Sequence, residues 1–526
     1  MRKLINKRRA LFAGLPIMLL ILTGIFFYKP ESKDFGFFKV DDQGIKQQVS
    51  EDEARKIGKK EKKAFKESNM QAFYLPKTLE EVSAERDMYL KQHGSFGTLG
   101  ENLPGDNPVD SWSNVGPMGI YDFSENVQHS GRVVSFEMFG DNANIMFCGA
   151  ASGGLWKSSD AGLSWFKLMD TLSCPTVSSI ACSQLASDNT VWFSTGSEFN
   201  GAGVQIGRVY KSTNGGSSFT SVSTFPLDPG NICKIEINPY DKNRVFVGCQ
   251  GGLFKTTNGG TTFNHIIPYG SVVCDVITYT NLLLPDTANV LAAIEGNGIW
   301  RSTNGGNNFS LLTLPGYNTA EDGRITLAAN PSFPNRTFAY VGRSNGQFLG
   351  LWFSTDKGAT WTQKTLPSAG GGQQKYNQGL AVTGSRVFLG NNNGVTFYST
   401  DDGTTWNQSG WTHPDVHKIH PYSNTVIYQV NDGGFFRSTN SGVNWNTFGN
   451  EFLQISQAYA IYASTSLPNS VWIGTQDNGV AAGYDNLFNW TGLTCCDGGV
   501  YFQQGGYQYM SLEYGAGGDN RLQRNS

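Results

Sequence analysis

The chain has 526 residues, of which 64 are glycine, 13% aromatic and only 16% charged, and its formal net charge is -3 at pH 7. That balance argues against nucleic acid as a partner, because phosphate binding draws on an excess of clustered lysine and arginine. The glycine and aromatic content fits short strands broken by tight turns.

Residues 1–9 carry five cations (Arg2, Lys3, Lys7, Arg8 and Arg9), and residues 10–28 contain no charge. A basic start followed by an apolar run is the pattern of a signal peptide or signal anchor over 1–30, which predicts export and, if uncleaved, a membrane association. Residues 31–110 are rich in charges of both signs, as in 51–56 and 59–63, and are expected to form a charged, partly helical linker or stalk.

From 111 to 526 the composition changes to glycine, amide, hydroxyl and aromatic residues, and a motif recurs. The form S-x-D-x-G-x-T-W stands at 354–361 and 399–406, and with serine for threonine at 158–165. Looser copies, with asparagine for aspartate, occupy 212–219, 256–263, 302–309 and 438–445, and an eighth at 483–490 keeps only Asp485 and Trp490. The acid or amide positions are Asp160, Asn214, Asn258, Asn304, Asp356, Asp401, Asn440 and Asp485, at steps of 39 to 54 residues. A period of that size means stacked or radial repeats. The side chain accepts backbone N–H groups, glycine supplies positive φ for a tight turn, and the last aromatic plugs the space beneath. These residues are read as structural.

Once the turn is fixed, each unit contains four strands. The first unit reads as 131–138, 144–149, 155–158 and 164–168, and the third as 232–238, 244–248, 253–256 and 262–267. Four antiparallel strands in about 45 residues describe a propeller blade. The fold class is therefore all-β, a β-propeller of about 7–10 four-stranded blades.

The run G-G-L-W-K-S-S-D-A-G at 153–162 resembles the Asp-box (BNR) repeat, and the region from 111 onward is similar to exported bacterial propellers of the sortilin and xyloglucanase types. Residues 520–526 resemble the strand that enters another box, which predicts a last blade incomplete at the C-terminus unless the strand near 112–118 completes it.

Loops between second and third strands lie opposite the box turns and carry Glu198, Gln250, Glu295, Asn392, Asp432, Asp477 and Glu513. Asp497, between two units, should open on the same face. Such a rim would attract sugars, cations or a basic peptide, although carboxylates beside glycine turns also cap backbone N–H groups. In the xyloglucanase-type family one catalytic aspartate lies in a T-D-x-G-G loop of the first blade and the other in a later G-D-x-G-G loop. Here Ala151 stands at the first position and Asp497 resembles the second. The resemblance thus implies a glycoside hydrolase only if Glu198 or Asp477 replaces the missing carboxyl. The preferred expectation is a binding or assembly module for a polysaccharide or protein, and a sortilin-like peptide receptor is a third reading.

His413, Asp415 and His417 alternate along one short stretch, a spacing able to offer two imidazoles and a carboxylate to a metal. A structural hydrogen-bond network is the competing reading. No phosphate loop or dinucleotide glycine pattern is present, and no cofactor is expected. Cys148, Cys249 and Cys274 read as small buried strand residues, whereas Cys495 and Cys496 form an unusual vicinal pair.

Overall fold

Second strands of the units are nearly continuous apolar runs such as Met-Phe-Cys-Gly-Ala, which requires sheets covered on both faces. The computed structural model describes three short strands within 25–49 and most of the chain from 117 to 525; the longest stretches outside the described residues there are 169–175, 197–206, 280–288, 464–469, 484–489 and 514–520. The chain divides into two compact units, Met1–Asn114 with Glu513–Gln523 and Val115–Leu512 with Arg524–Ser526.

In the first unit, Ile25–Phe27, Phe37–Val40 and Lys46–Val49 form an antiparallel three-stranded sheet. The described residues there are strands, where the sequence led us to expect an apolar segment and helices. Both of those expectations otherwise fall outside the described residues. Among the described residues no helix is long and apolar enough to cross a membrane.

The second unit holds seven consecutive four-stranded sheets, each paired in sequence order. Blade 1 consists of Val133–Met138, Met146–Ala150, Leu155–Ser158 and Phe166–Lys167. Blade 7 consists of Lys418–Pro421, Ile427–Asn431, Gly434–Ser438 and Asn446–Thr447. The expected strands of the third unit match Ile232–Asn238, Asp241–Cys249, Gly252–Thr256 and Asn264–Ile267.

A separate apolar cluster fills each space between neighbouring blades. Phe139, Phe147 and Leu155 of blade 1 pack on Val177, Ile180 and Phe193 of blade 2, and equivalent clusters follow around the ring. The last one joins Tyr428, Val430 and Phe435 of blade 7 to Val133, Phe136 and Met146 of blade 1. The ring therefore closes at seven.

An eighth sheet lies outside this ring. Ala458–Ala463, Val471–Thr475, Val480–Gly483 and Trp490–Gly492 pair in order, and Ile120–Asp122 then adds in parallel, Trp490 opposite Ile120, followed by Val127–His129. The strand that completes this sheet thus lies slightly later than 112–118. The next strand, Asp497–Gln504, packs against it through Tyr501, which stacks on Trp472 at 4.6 Å.

The repeated turn behaves as its chemistry requires. In blade 5, Ser354 Oγ donates to Asp356 Oδ1 at 2.8 Å and accepts the Gly358 N–H at 2.9 Å, while Asp356 accepts the Thr360 N–H and hydroxyl. Where asparagine replaces aspartate the polarity of one bond reverses: Asn214 Oδ1 accepts the Ser218 N–H at 3.0 Å and its Nδ2 donates to the Ser218 hydroxyl at 2.9 Å. A hydroxyl both donates and accepts, so either residue closes the turn. Asp485 lies outside the described residues.

A second repeated device joins the blades. The residue before the box serine is often basic, and it reaches the next blade's box turn: Lys157 donates to Gly215 O at 2.6 Å and Lys211 to Gly259 O at 2.7 Å. Blades 5 and 6 carry Phe353 and Tyr398 at that position, and there Arg336 donates to Gly384 O and Arg386 to Ser441 O instead.

Candidate functional site at the ring mouth

Strands alternate in direction, so loops between second and third strands and loops between blades share one face, opposite the box turns. On that face the described loops of blades 6 and 7, the eighth sheet and the entry to blade 1 converge.

Their centre is Asp432, on the turn of blade 7, whose side chain is only 1% exposed. Arg132 Nε donates to Asp432 Oδ2 at 3.0 Å, and Arg132 Nη2 donates to Asp477 Oδ2 at 2.9 Å. Tyr376 Oη donates to Asp432 at 2.9 Å and His417 Nε2 to its other oxygen at 2.6 Å. The Arg132 guanidinium also sits 5.0 Å over the Tyr376 ring. Burial pushes the Asp432 carboxyl up, but His417 and Arg132 outweigh it and hold the group well below the usual carboxylate range.

Asp477 has the opposite electrostatics. It adopts φ +62°, a left-handed conformation uncommon for a residue with a side chain. Its N–H is accepted by Asp497 Oδ1 at 2.9 Å, and its carbonyl lies 3.1 Å from His413 Nε2. Burial, then the ionised Asp432 in direct hydrogen-bond contact, push its carboxyl up to about 8. Two carboxyls that cannot both ionise are driven apart in this way.

Asp477, Asp432 and Asp497 are thus brought together, and Asp497 serves as a backbone cap. Gln250 caps the Asn231 N–H, and Glu295 pairs with Lys375 at 3.3 Å. Asn392 is half-buried on the turn of blade 6, with its Oδ1 shielded and unpartnered. Glu198 lies outside the described residues, and Glu513 lies in Tyr507–Glu513, of whose side chains nothing is described.

The metal reading of His413, Asp415 and His417 does not fit this geometry. His413 lies between two carbonyl oxygens, Asp415 accepts from Asn377, and His417 bonds Asp432. Asp415 has φ +64°, which breaks the extended alternation that would have aligned the three. Among the described residues no group of three or more His, Cys, Asp or Glu is arranged to hold a metal ion.

Sequence reasoning missed Arg132 and Tyr376. Nothing local marks Arg132. Tyr376 follows a triple glycine in the long connection between blades 5 and 6, and an unusually long glycine-rich loop is a usable signal for a functional segment.

These features define a β-propeller with structural turns on one face and a polar, charge-paired mouth on the other. The model of the DUF6242 beta propeller domain matches residues 326–490. A xyloglucanase of Hypocrea jecorina is 28% identical over 189 residues, covering 30% of this chain and 21% of that enzyme. Among solved structures, an ancestral GH74 enzyme superposes with a TM-score of 0.56 at 18% identity, over 75% of this chain and 60% of its own. The GH74 xyloglucanase from Xanthomonas campestris gives 0.52 at 13% identity, over 76% and 73%. The chain is a β-propeller protein similar to xyloglucanases, and it spans only about a fifth of the curated relative and three fifths of the ancestral enzyme.

Proposed function

We propose that the protein is an exported polysaccharide-binding propeller whose ligand lies across the mouth. The observation that carries this reading is the commitment of the mouth's carboxyls. Asp432 is neutralised by Arg132, Asp497 caps a backbone N–H, and a methyl group, Ala151, stands where the resemblance calls for the second acid. Asp432 and Asp477 are in hydrogen-bond contact, whereas glycoside cleavage needs carboxyls about 5 to 9.5 Å apart.

Trp411 supplies a surface for a sugar ring. It is 38% exposed beside His413, with ring centroids 6.4 Å apart, and His413 in turn touches Asp477. The basic and apolar N-terminus supports export, and the xyloglucanase relatives support a glucan ligand.

A second reading, hydrolysis, is favoured by one observation: Asp477 carries a proton near neutrality next to the ionised Asp432, and Asp497 adjoins it. Such divergent carboxyls are how acid and base roles are assigned.

One experiment separates the two. The full chain is passed over immobilised β-glucans and assayed for reducing-end release, alongside Trp411→Ala and Asp497→Asn. Binding without release is expected, with affinity about 5- to 30-fold weaker in Trp411→Ala, roughly 1–2 kcal/mol of lost apolar contact, and little changed in Asp497→Asn. Release that disappears in Asp497→Asn would establish the hydrolase reading instead.

A further inference from the structure

The Nε–Nη2 edge of a guanidinium ordinarily takes both oxygens of one carboxylate. On Arg132 that edge takes one oxygen from each of two different carboxyls, Asp432 Oδ2 at 3.0 Å and Asp477 Oδ2 at 2.9 Å. Two adjacent N–H groups of one planar fork therefore force the two oxygens together. One cation cannot neutralise two carboxylates at that distance in a site where the side chains are 1% and 25% exposed.

The joint also has a mechanical position. Arg132 leads into blade 1, Asp432 belongs to blade 7, and Asp477 sits on the 476–479 turn of the eighth sheet. The pair is thus the place where the closed ring meets the sheet beside it. Asn478 Nδ2, donating to Asp432 O at 3.0 Å, and the Asp477 carbonyl, 3.1 Å from His413 Nε2, are further polar ties on the same turn.

We propose that Asp432 and Asp477 hold a single proton between them, and that this proton latches the 476–479 turn onto blade 7. Loss of the proton releases the turn and opens the mouth. The groups facing the pair are Arg132 from blade 1, His417 from blade 7, Tyr376 from the connection between blades 5 and 6, His413 and Asp415 from the connection between blades 6 and 7, and Asp497 beyond the eighth sheet. Of the two carboxyls, Asp432 is also held by Arg132, Tyr376 and His417, three donors besides the shared proton, so Asp477 is the one that moves.

The sign of the pH dependence follows from the direction of each carboxyl. Asp477 binds its proton more tightly folded than unfolded, so its contribution is complete below the unfolded value near 4 and is lost as pH rises toward about 8, then stays level. Asp432 is shifted downward, so its contribution is present above the unfolded value and is lost only in stronger acid.

The test is the unfolding equilibrium of the full chain between pH 4 and 9.5, compared with Asp477→Asn. An amide keeps a donor toward Asp432 and an acceptor toward Arg132 at every pH, and asparagine tolerates the left-handed backbone. The wild type is expected to lose up to tenfold in its folding constant per pH unit relative to the variant, between about pH 4 and 8, and to run parallel above. Amide exchange at 476–479, corrected for its intrinsic base catalysis, should rise in the wild type above pH 8 and not in the variant. A flat difference between pH 4 and 8 overturns the shared proton. A sloping difference with unchanged exchange overturns the latch. If Asp477→Asn does not fold, Asp432→Asn provides the comparison: it leaves Asp477 alone on Arg132, and the slope between pH 5 and 8 should vanish.

Discussion

Arg132→Met is expected to destabilise the protein by about 3–5 kcal/mol, the cost of leaving a buried carboxylate without its cation. Asp432 is 1% exposed and ionised, and the Arg132 guanidinium bonds it at 3.0 Å. Methionine keeps most of the aliphatic length, so lost packing contributes little. The double variant Arg132→Met/Asp432→Asn should recover a large part of the loss, because the uncompensated charge is then gone. Denaturant unfolding of the two single variants and the double measures the coupling directly. A single Arg132→Met cost below about 1 kcal/mol would mean that His417 and Tyr376 suffice.

Gly216→Ala should cost about 2–4 kcal/mol, whereas Gly215→Ala, its neighbour in the same turn, should cost only about 1 kcal/mol. Both have positive φ, +82° at Gly216 and +68° at Gly215, so both acquire the left-handed penalty. They differ in what a methyl group meets. At Gly215 the nearest atom is 3.9 Å away, but at Gly216 a Cβ would sit 2.8 Å from Phe147 Cε1 of the preceding blade. The second glycine of the blade 3 and blade 4 boxes is equally crowded, against Trp192 and Phe246. Overpacking of this kind adds about 1–3 kcal/mol. Paired thermal and denaturant unfolding decides it, and equal costs at the two positions would remove the inter-blade explanation for the glycine.

The relation between the glycine and its neighbour shows where reading the chain alone stops. The demand for glycine at 216 is visible in the motif as a turn requirement, yet half of its physical reason is Phe147, nearly seventy residues earlier. The same holds for Lys157 and Lys211, which appear in sequence as ordinary solvent-facing cations of a strand and in space bind the next blade's box turn. Sidedness was legible: alternating strand directions are enough to put Asp432, Asp477 and Asp497 on one face. Their contacts were not, since no local pattern shows that Asp497 accepts the Asp477 N–H or that Asp432 meets Arg132. His413, Asp415 and His417 were aligned on the assumption of an extended backbone, and φ +64° at Asp415 removes that alignment.

The sequence by itself determined the blade, because the box turn and the pairing of its four strands join residues no more than 21 positions apart, as Asp322 and Arg343 are in blade 5. Only the tertiary structure decided that the ring closes at seven, that residues 120–129 complete an eighth sheet, and that Arg132 meets Asp432 and Asp477. Closure depends on the angle accumulated over every blade interface, and the Arg132 bonds span 300 and 345 residues. No local pattern records a sum taken around a whole ring.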